Sequence, residues 1–154
     1  AHVHPMPASD GPDGDDAEQA AARYARELAD AAQPSSSELP HFDVLMLGVG
    51  EDGHVASVFP EHPVHHENST TAAVHNSPKP PPTRITLTLP TIRTAEEVWL
   101  IAAGPDKAAP VGMAIEGAGP KQLPAAGATG TDRTLWLLDR AAAAKVPSKA
   151  RSLR

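Results

Sequence analysis

Short apolar runs separated by turn-rich and helical stretches set the pattern of this chain. Residues 42–47, 97–103 and 134–138 are mainly apolar with little polar alternation, which is typical of parallel strands covered on both faces. The run at 42–47 is expected to be the central strand of such a sheet. Two further strands are predicted at residues 71–75 and 84–89.

Helical segments lie between these strands. Residues 17–32 predict an amphipathic covering helix that Asp15 or Asp16 can cap. Residues 106–116 predict a weaker helix, and a short one is expected at 140–145. Alternation of strands and helices favours an α/β fold. The buried face of the first helix is expected to comprise Ala21, Tyr24, Leu28 and Ala32.

The predicted central strand runs into a glycine-rich turn that ends in Asp52 and His54. Gly48, Gly50 and Gly53 let the backbone turn tightly and approach a ligand closely. A short helix is expected to follow, and its N-terminus would direct N–H groups at an anion. Because open α/β folds bind ligands at the carboxyl ends of their strands, the turn predicts a titratable base beside an anion pocket.

Length, charge and cysteine content limit the domain organisation, the compartment and the partners that are expected. The chain has 154 residues, a formal charge of -6 and no cysteine, which predicts one domain in a reducing compartment. Without a Lys/Arg-rich run, neither nucleic acid nor an anionic membrane surface is an expected partner. No apolar run approaches the ~20 residues of a spanning helix and no signal peptide is evident, so we expect a cytoplasmic protein. An anionic small molecule would need a local basic patch, for which Lys79 and Arg84 are the candidates.

Four blocks in this order resemble the 6-phosphogluconolactonase family. They read LGVGEDGHVASVFPEHP at residues 47–63, SPKPPPTRITLTLP at 77–90, EVWLIAAGPDKA at 97–108 and TLWLLDRAAAAK at 134–145. The resemblance implies a Rossmann-like, modified doubly wound α/β sheet similar to that of sugar-phosphate isomerases and deaminases. It also implies that residues 1–154 form the carboxyl-terminal part of one such domain, without the amino-terminal phosphate loop of the family.

The resemblance implies a reaction and a set of site residues. The reaction is hydrolysis of 6-phospho-D-glucono-1,5-lactone to 6-phosphogluconate in the oxidative pentose phosphate pathway, with no metal or organic cofactor. His54 resembles the family's general base on water, a task that suits a side chain of unperturbed pKa ~6.5. Asp52 would fix the imidazole, and Lys79 and Arg84 would bind the phosphate. Backbone N–H groups from Gly50 to Gly53 are candidates for stabilising the oxyanion.

Two rival functions from other classes stay open. One is a sugar-phosphate isomerase or amino-sugar deaminase of similar fold, which would need a second acid/base for proton transfer between carbons. The other is a catalytically inactive fragment that binds a partner through exposed sheet edges. Individual residues also have simpler interpretations: Asp52 is a common turn residue before glycine, and Lys79 could be a solvated charge.

Other conspicuous side chains are expected to be structural. Ser57 lacks the G-x-S-x-G context of a nucleophile, so a cap or packing role is expected. The histidine-rich loop at 59–69 lacks the helical spacing of a zinc site, and an adventitious metal site is the expectation for its cluster. Trp99 and Trp136 are expected in the core. The cluster comprises His62, His65, His66 and Glu67.

Overall fold

The computed structural model describes residues 3–32 and 39–150 and contains two sheets. The larger sheet is parallel and is formed by β1 (Val44–Gly48), β4 (Glu97–Ala102) and β5 (Arg133–Leu138), in the order β1-β4-β5. The smaller sheet is the antiparallel pair of β2 (Thr71–Val74) and β3 (Arg84–Leu87). All five predicted strands are therefore present, and the predicted α/β class is confirmed.

Three α-helices and five 3₁₀ turns accompany the strands within the described residues. The helices are α1 (Ala17–Ala31), α2 (Leu89–Ile92) and α3 (Ala108–Ile115). None of the described helices is long and apolar enough to cross a membrane. A loop predicted at 33–40 and the tail predicted to fray after Val146 fall partly outside the described residues. The 3₁₀ turns are Pro63–His66, Pro105–Lys107, Pro124–Gly127, Ala142–Lys145 and Ser148–Ala150.

One face of the parallel sheet carries the core. Leu45 and Leu47 of β1 and Leu100 of β4 are buried on this face, in a core cluster that also contains Val111 of α3. The opposite face exposes Met46 by 64% and Ile101 by 43%. The expectation of a central strand covered on both faces was therefore wrong: β4 is central, β1 lies at the edge of the described sheet, and both alternate buried and exposed residues.

The same alternation corrects the placement of one tryptophan. Trp99 lies in register with Met46 and Leu135 and is half-buried on the open face, where its indole N–H donates to Glu97 Oε2 at 2.7 Å. Trp136 has the opposite parity and packs against the core, as expected. Side chains that are in register on adjacent strands point to the same face of the sheet, and successive side chains along a strand alternate between faces. Trp99 and Trp136 therefore lie on opposite faces.

Helix α1 covers the smaller sheet. The Asp16 carboxylate accepts the Gln19 N–H at 3.0 Å, which caps the helix as predicted. The buried Thr71 hydroxyl donates to the Ala21 carbonyl at 2.7 Å and joins β2 to the helix. Ala32, predicted on the buried face, is the C-cap residue instead. The buried residues of α1 are Ala17, Ala20, Ala21, Tyr24 and Leu28.

Candidate active site

A polar cleft of about 360 Å³ lies at the carboxyl edge of the parallel sheet. β1 leads into it through the glycine turn, and β4 leads into it through the 3₁₀ turn Pro105–Lys107. Because both strands run in the same direction, their carboxyl ends meet at one edge, where α/β folds place ligands. The lining residues are Gly48, Val49, Gly50, His54, Ala56, Lys79 and Lys107.

The glycine turn closes on itself with backbone hydrogen bonds. Gly50 N–H donates to the His54 carbonyl at 2.9 Å, and Gly53 N–H donates to the Gly50 carbonyl at 3.0 Å. Val49 and Val55 form an antiparallel bridge across the turn. The N–H groups of Gly50 and Gly53 are thus engaged within the turn. Stabilisation of an oxyanion by the N–H groups of residues 50–53 stays a prediction.

No helix begins directly after His54, where the described chain forms turns and bridges instead. The prediction that a helix N-terminus at this point would bind an anion was therefore wrong. Val55 and Val58 instead form a second bridge around Ala56, whose φ is 49°. The Ser57 N–H donates to the Thr86 hydroxyl at 3.1 Å. β-branched residues favour such extended pairing over a helical turn. Ser57 is buried here and has the packing role that was expected.

Both glycines of the turn are required by its geometry. A Cβ on Gly50 would lie 2.0 Å from His54 Nδ1 and 2.6 Å from Asp52 Oδ1, so only glycine lets the two side chains meet over this backbone. Gly53 has a φ of +81°, and a Cβ there would lie 2.4 Å from Leu123 Cδ1. The two glycines therefore shape the site by the side chains that they lack.

His54 and Asp52 form a tight hydrogen-bonded pair. Asp52 Oδ1 lies 2.5 Å from His54 Nδ1 and also accepts the His54 backbone N–H at 3.1 Å. Burial acts to raise the pKa of Asp52, but the hydrogen bonds from His54 and the charges of His54 and Lys79 prevail and lower it. An ionised carboxylate only accepts hydrogen bonds, so Nδ1 carries the proton and Nε2 of a neutral ring is left as the proton acceptor.

A buried aromatic ring supports the histidine. The Phe59 ring is fully buried, and its centroid lies 4.5 Å from that of the His54 ring at an interplanar angle of 34°. The His54 side chain is 17% exposed and that of Asp52 is 32% exposed. The imidazole is therefore held from two sides, by a carboxylate and by an aromatic ring, while it still borders the cleft.

Two lysines bring positive charge to the cleft. Lys79 comes from the proline-rich loop before β3, as the sequence analysis predicted. Lys107 was not predicted from the sequence, although the strand pattern contained the signal. It follows β4, and residues after neighbouring parallel strands share one edge of the sheet. Two ammonium groups beside the histidine suit an anionic ligand.

The structure does not place Arg84 among the residues that line this cleft. Its Nε donates to the Pro81 carbonyl at 3.0 Å, and its Nη2 donates to the carbonyls of Lys79 and Pro80 at 3.0 and 2.8 Å. Arg84 borders a second cavity of about 680 Å³ between residues 6–20 and the proline-rich loop. His54 does not line that larger cavity, so the smaller cleft is the candidate site.

The histidine-rich loop uses its rings as hydrogen-bonding groups. His62 Nε2 donates to the His75 carbonyl and His65 Nε2 donates to the Phe59 carbonyl, each at 2.8 Å. Among residues 3–32 and 39–150, the one group whose ligand atoms lie close enough to share a metal ion is elsewhere. It comprises His41, Asp43 and Glu96, all exposed before β1 and β4 and so at the opposite end of those strands.

The parallel sheet and the charged cleft at its carboxyl edge place this chain among the α/β domains that bind small ligands at that edge. A family model described as glucosamine-6-phosphate isomerases/6-phosphogluconolactonase matches residues 1–136. The chain belongs to this family. The resemblance seen in the four sequence blocks is thereby confirmed.

Individual relatives agree with the family model. A Streptomyces coelicolor protein named 6-phosphogluconolactonase is 63% identical over 147 residues, 94% of this chain and 56% of the relative. The Mycobacterium tuberculosis protein of that name is 54% identical and is covered to 59% of its length, against 95% of this chain. The crystal structure of 6-phosphogluconolactonase from Leishmania guyanensis covers 91% of this chain and 57% of its own, with a TM-score of 0.70 and 27% identity. The chain thus spans little more than half the length of these relatives.

Proposed function

We propose that the cleft hydrolyses 6-phospho-D-glucono-1,5-lactone to 6-phosphogluconate, with His54 as general base. The observation that carries the proposal is the His54–Asp52 pair in a cleft that also holds Lys79 and Lys107. The names of the relatives support the same substrate class. The partner is accordingly a small phosphorylated sugar lactone, and we expect neither nucleic acid nor membrane to bind.

Lactone hydrolysis needs a base that delivers water to the carbonyl carbon. In the proposed step, His54 Nε2 removes a proton from water as the oxygen attacks, and the ring C–O bond then breaks to give the free acid and the hydroxyl. Asp52 holds Nδ1–H, keeps the tautomer fixed and stabilises the imidazolium that forms. The histidine later returns the proton to the departing ring oxygen.

The phosphate requires cations, which a chain of charge -6 must concentrate locally. Lys79 and Lys107 border the same cleft as His54 from two separate segments. We assign them to the phosphate because an ammonium group is a compact donor with three N–H bonds and a full charge. Binding at the phosphate end would hold the lactone carbonyl toward the base.

Replacement of the base tests the proposal. His54→Ala should lower kcat by about 10² to 10⁴, the usual contribution of a general base, with little change in thermal unfolding. The assay follows lactone loss, corrected for spontaneous opening. His66→Ala is the matched control, because His66 is an exposed histidine outside the cleft. Turnover retained in His54→Ala would remove this residue from the mechanism.

The same samples separate the rival functions. Sugar-phosphate isomerisation or deamination without lactone hydrolysis would assign the site to the other branch of the family. Absence of all these activities would favour an inactive fragment. We further propose that residues 1–154 form the carboxyl-terminal part of a single α/β domain and that the protein is cytoplasmic. The partial coverage of the relatives supports the view that the chain is part of a longer domain.

A further inference from the structure

Arg84 links the two sides of the cleft without lining it. We propose that Arg84 is a positioning residue, which holds Lys79 by its main chain and supports His54 through Phe59, and that it does not bind the phosphate itself. This inference deepens the proposed function and rests on it, because it gives Lys79 the role of anion ligand.

The proline-rich loop explains why an arginine is needed. Pro78, Pro80, Pro81 and Pro82 have carbonyl acceptors but no N–H donors, so this stretch has few donors with which to satisfy its own carbonyl groups. Arg84 supplies the donors from one planar group, which bonds to three successive carbonyls, those of Lys79, Pro80 and Pro81. The guanidinium thereby fixes the main chain of the residue whose ammonium borders the cleft.

Ser77 completes the hold on Lys79. Its hydroxyl donates to the Lys79 carbonyl at 2.8 Å and accepts the Lys79 N–H at 3.2 Å. Its own N–H donates to the Pro82 carbonyl at 2.9 Å. The Lys79 carbonyl therefore receives hydrogen bonds from both Ser77 and Arg84. A main chain held in this way limits the positions that the Lys79 side chain can reach.

The other side of the link is aromatic. The Arg84 guanidinium carbon lies 5.3 Å from the centroid of the Phe59 ring, a cation–π distance. The same ring lies 4.5 Å from the His54 ring. Arg84 thus contacts the support of the base and the main chain of the anion ligand at once. A substitution at Arg84 should therefore alter the positions of both His54 and Lys79.

A double-mutant cycle of Arg84→Lys and Lys79→Ala tests the inference. Lysine keeps the charge but lacks the planar fork that reaches three carbonyls. Arg84→Lys should therefore raise KM for the lactone about tenfold, the scale of a lost charged hydrogen bond. In the Lys79→Ala background it should raise KM no further. An equal further rise in the double variant would overturn the inference, since independent phosphate ligands act additively.

Two measurements keep this test separate from the proposed function. If the 154-residue chain does not hydrolyse the lactone, the proposed function fails, and the same cycle is then read on affinity for inorganic phosphate by calorimetry. The ring NMR signals of His54 are recorded on every variant and should shift in Arg84→Lys. Unmoved His54 signals together with unchanged phosphate affinity would overturn the inference.

Arg93→Lys is the matched control. Arg93 also donates its Nε to a carbonyl, that of Gly127, at 2.7 Å, but it lines neither the cleft nor the larger cavity. Its replacement should leave KM, phosphate affinity and the His54 signals unchanged. Shifts of equal size in Arg93→Lys would mean that Arg84→Lys reports only a general loss of packing, which would also overturn the inference.

Discussion

His54 and Asp52 meet within one turn because residue 50 has no side chain. A Cβ at this position would overlap His54 Nδ1 and crowd Asp52 Oδ1, so the hydrogen bond between the two side chains depends on an atom that glycine lacks. The φ of Gly50 is not in the left-handed region. Its requirement for glycine is therefore steric, unlike that of Gly53, which also has a positive φ.

Gly50→Ala should impair catalysis more than folding. The new methyl group would push the His54 ring away from Asp52, and a displacement of about 1 Å in a catalytic group costs about 10²-fold in rate. We expect kcat to fall on that scale while the thermal midpoint changes little. Gly119→Ala is the control, because a Cβ at Gly119 meets nothing within 4 Å. Equal kcat in the two variants would contradict the steric argument.

Residue patterns predicted only part of the candidate site. The glycine turn, Asp52, His54 and Lys79 could be predicted because they lie in local sequence motifs. The structure places Gly50, His54 and Lys79 at one cleft, and Asp52 is hydrogen-bonded to His54 beside it. Lys107 was missed because its place depends on the pairing of β1 with β4, a contact between residues far apart in sequence. The position of Arg84 likewise depends on its hydrogen bonds to the carbonyl groups of residues 79–81, whose directions cannot be predicted from the sequence.

At the scale of elements, prediction succeeded where local physics decides. The capped helix α1 and the five strands follow from short-range patterns and appear close to their expected bounds. The order of the strands and the exposure of each face do not follow from short-range patterns, because an apolar run has the same pattern in an edge strand and in a central strand. The helix expected after His54 does not form, because backbone N–H groups such as that of Ser57 donate to long-range partners such as the Thr86 hydroxyl.

The 3₁₀ turn Pro63–His66 should make stability depend on pH. Burial is the main cause that lowers the pKa of His65, assisted by His66 and His62, against the Phe59 carbonyl and Glu61, which act to raise it. A histidine with a folded pKa below its unfolded value of ~6.5 stabilises the fold above that pH. This stabilisation is lost as pH falls below ~6.5 and through the folded pKa.

His65→Gln isolates this contribution. The glutamine amide can keep a donor toward the Phe59 carbonyl, which His65 Nε2 contacts at 2.8 Å, but it does not titrate. The free energy of unfolding of the variant, measured by denaturant titration between pH 7 and pH 5, should fall less steeply than that of the parent chain. Identical slopes would show that another group governs the acid side of stability.

At the scale of the whole molecule, the open face of the parallel sheet presents exposed apolar side chains. The open face of the parallel sheet carries two apolar rows, Met46-Trp99-Leu135 and Ile101-Leu137, in direct strand register. In these rows Met46 is 64% exposed, Ile101 43% and Leu137 42%. Contiguous apolar patches of this kind promote association in water. The net charge of -6 acts against it through self-repulsion.

The exposed apolar face and the net negative charge together predict self-association that depends on both protein concentration and salt. The weight-average mass from sedimentation should rise above 16.0 kDa as the chain is concentrated. It should rise further with added salt, because at about 0.1 M the Debye length is only ~10 Å.

Met46→Glu places a charge at an exposed apolar position of the open face and should restore the monomer mass. Met113→Glu is the control, since Met113 is 51% exposed on α3, outside that face. The control variant should associate as the parent does. A parent chain that stays at 16.0 kDa throughout would show that its charge, together with the polar rim of Glu97 and Arg133, is enough to keep the open face in water.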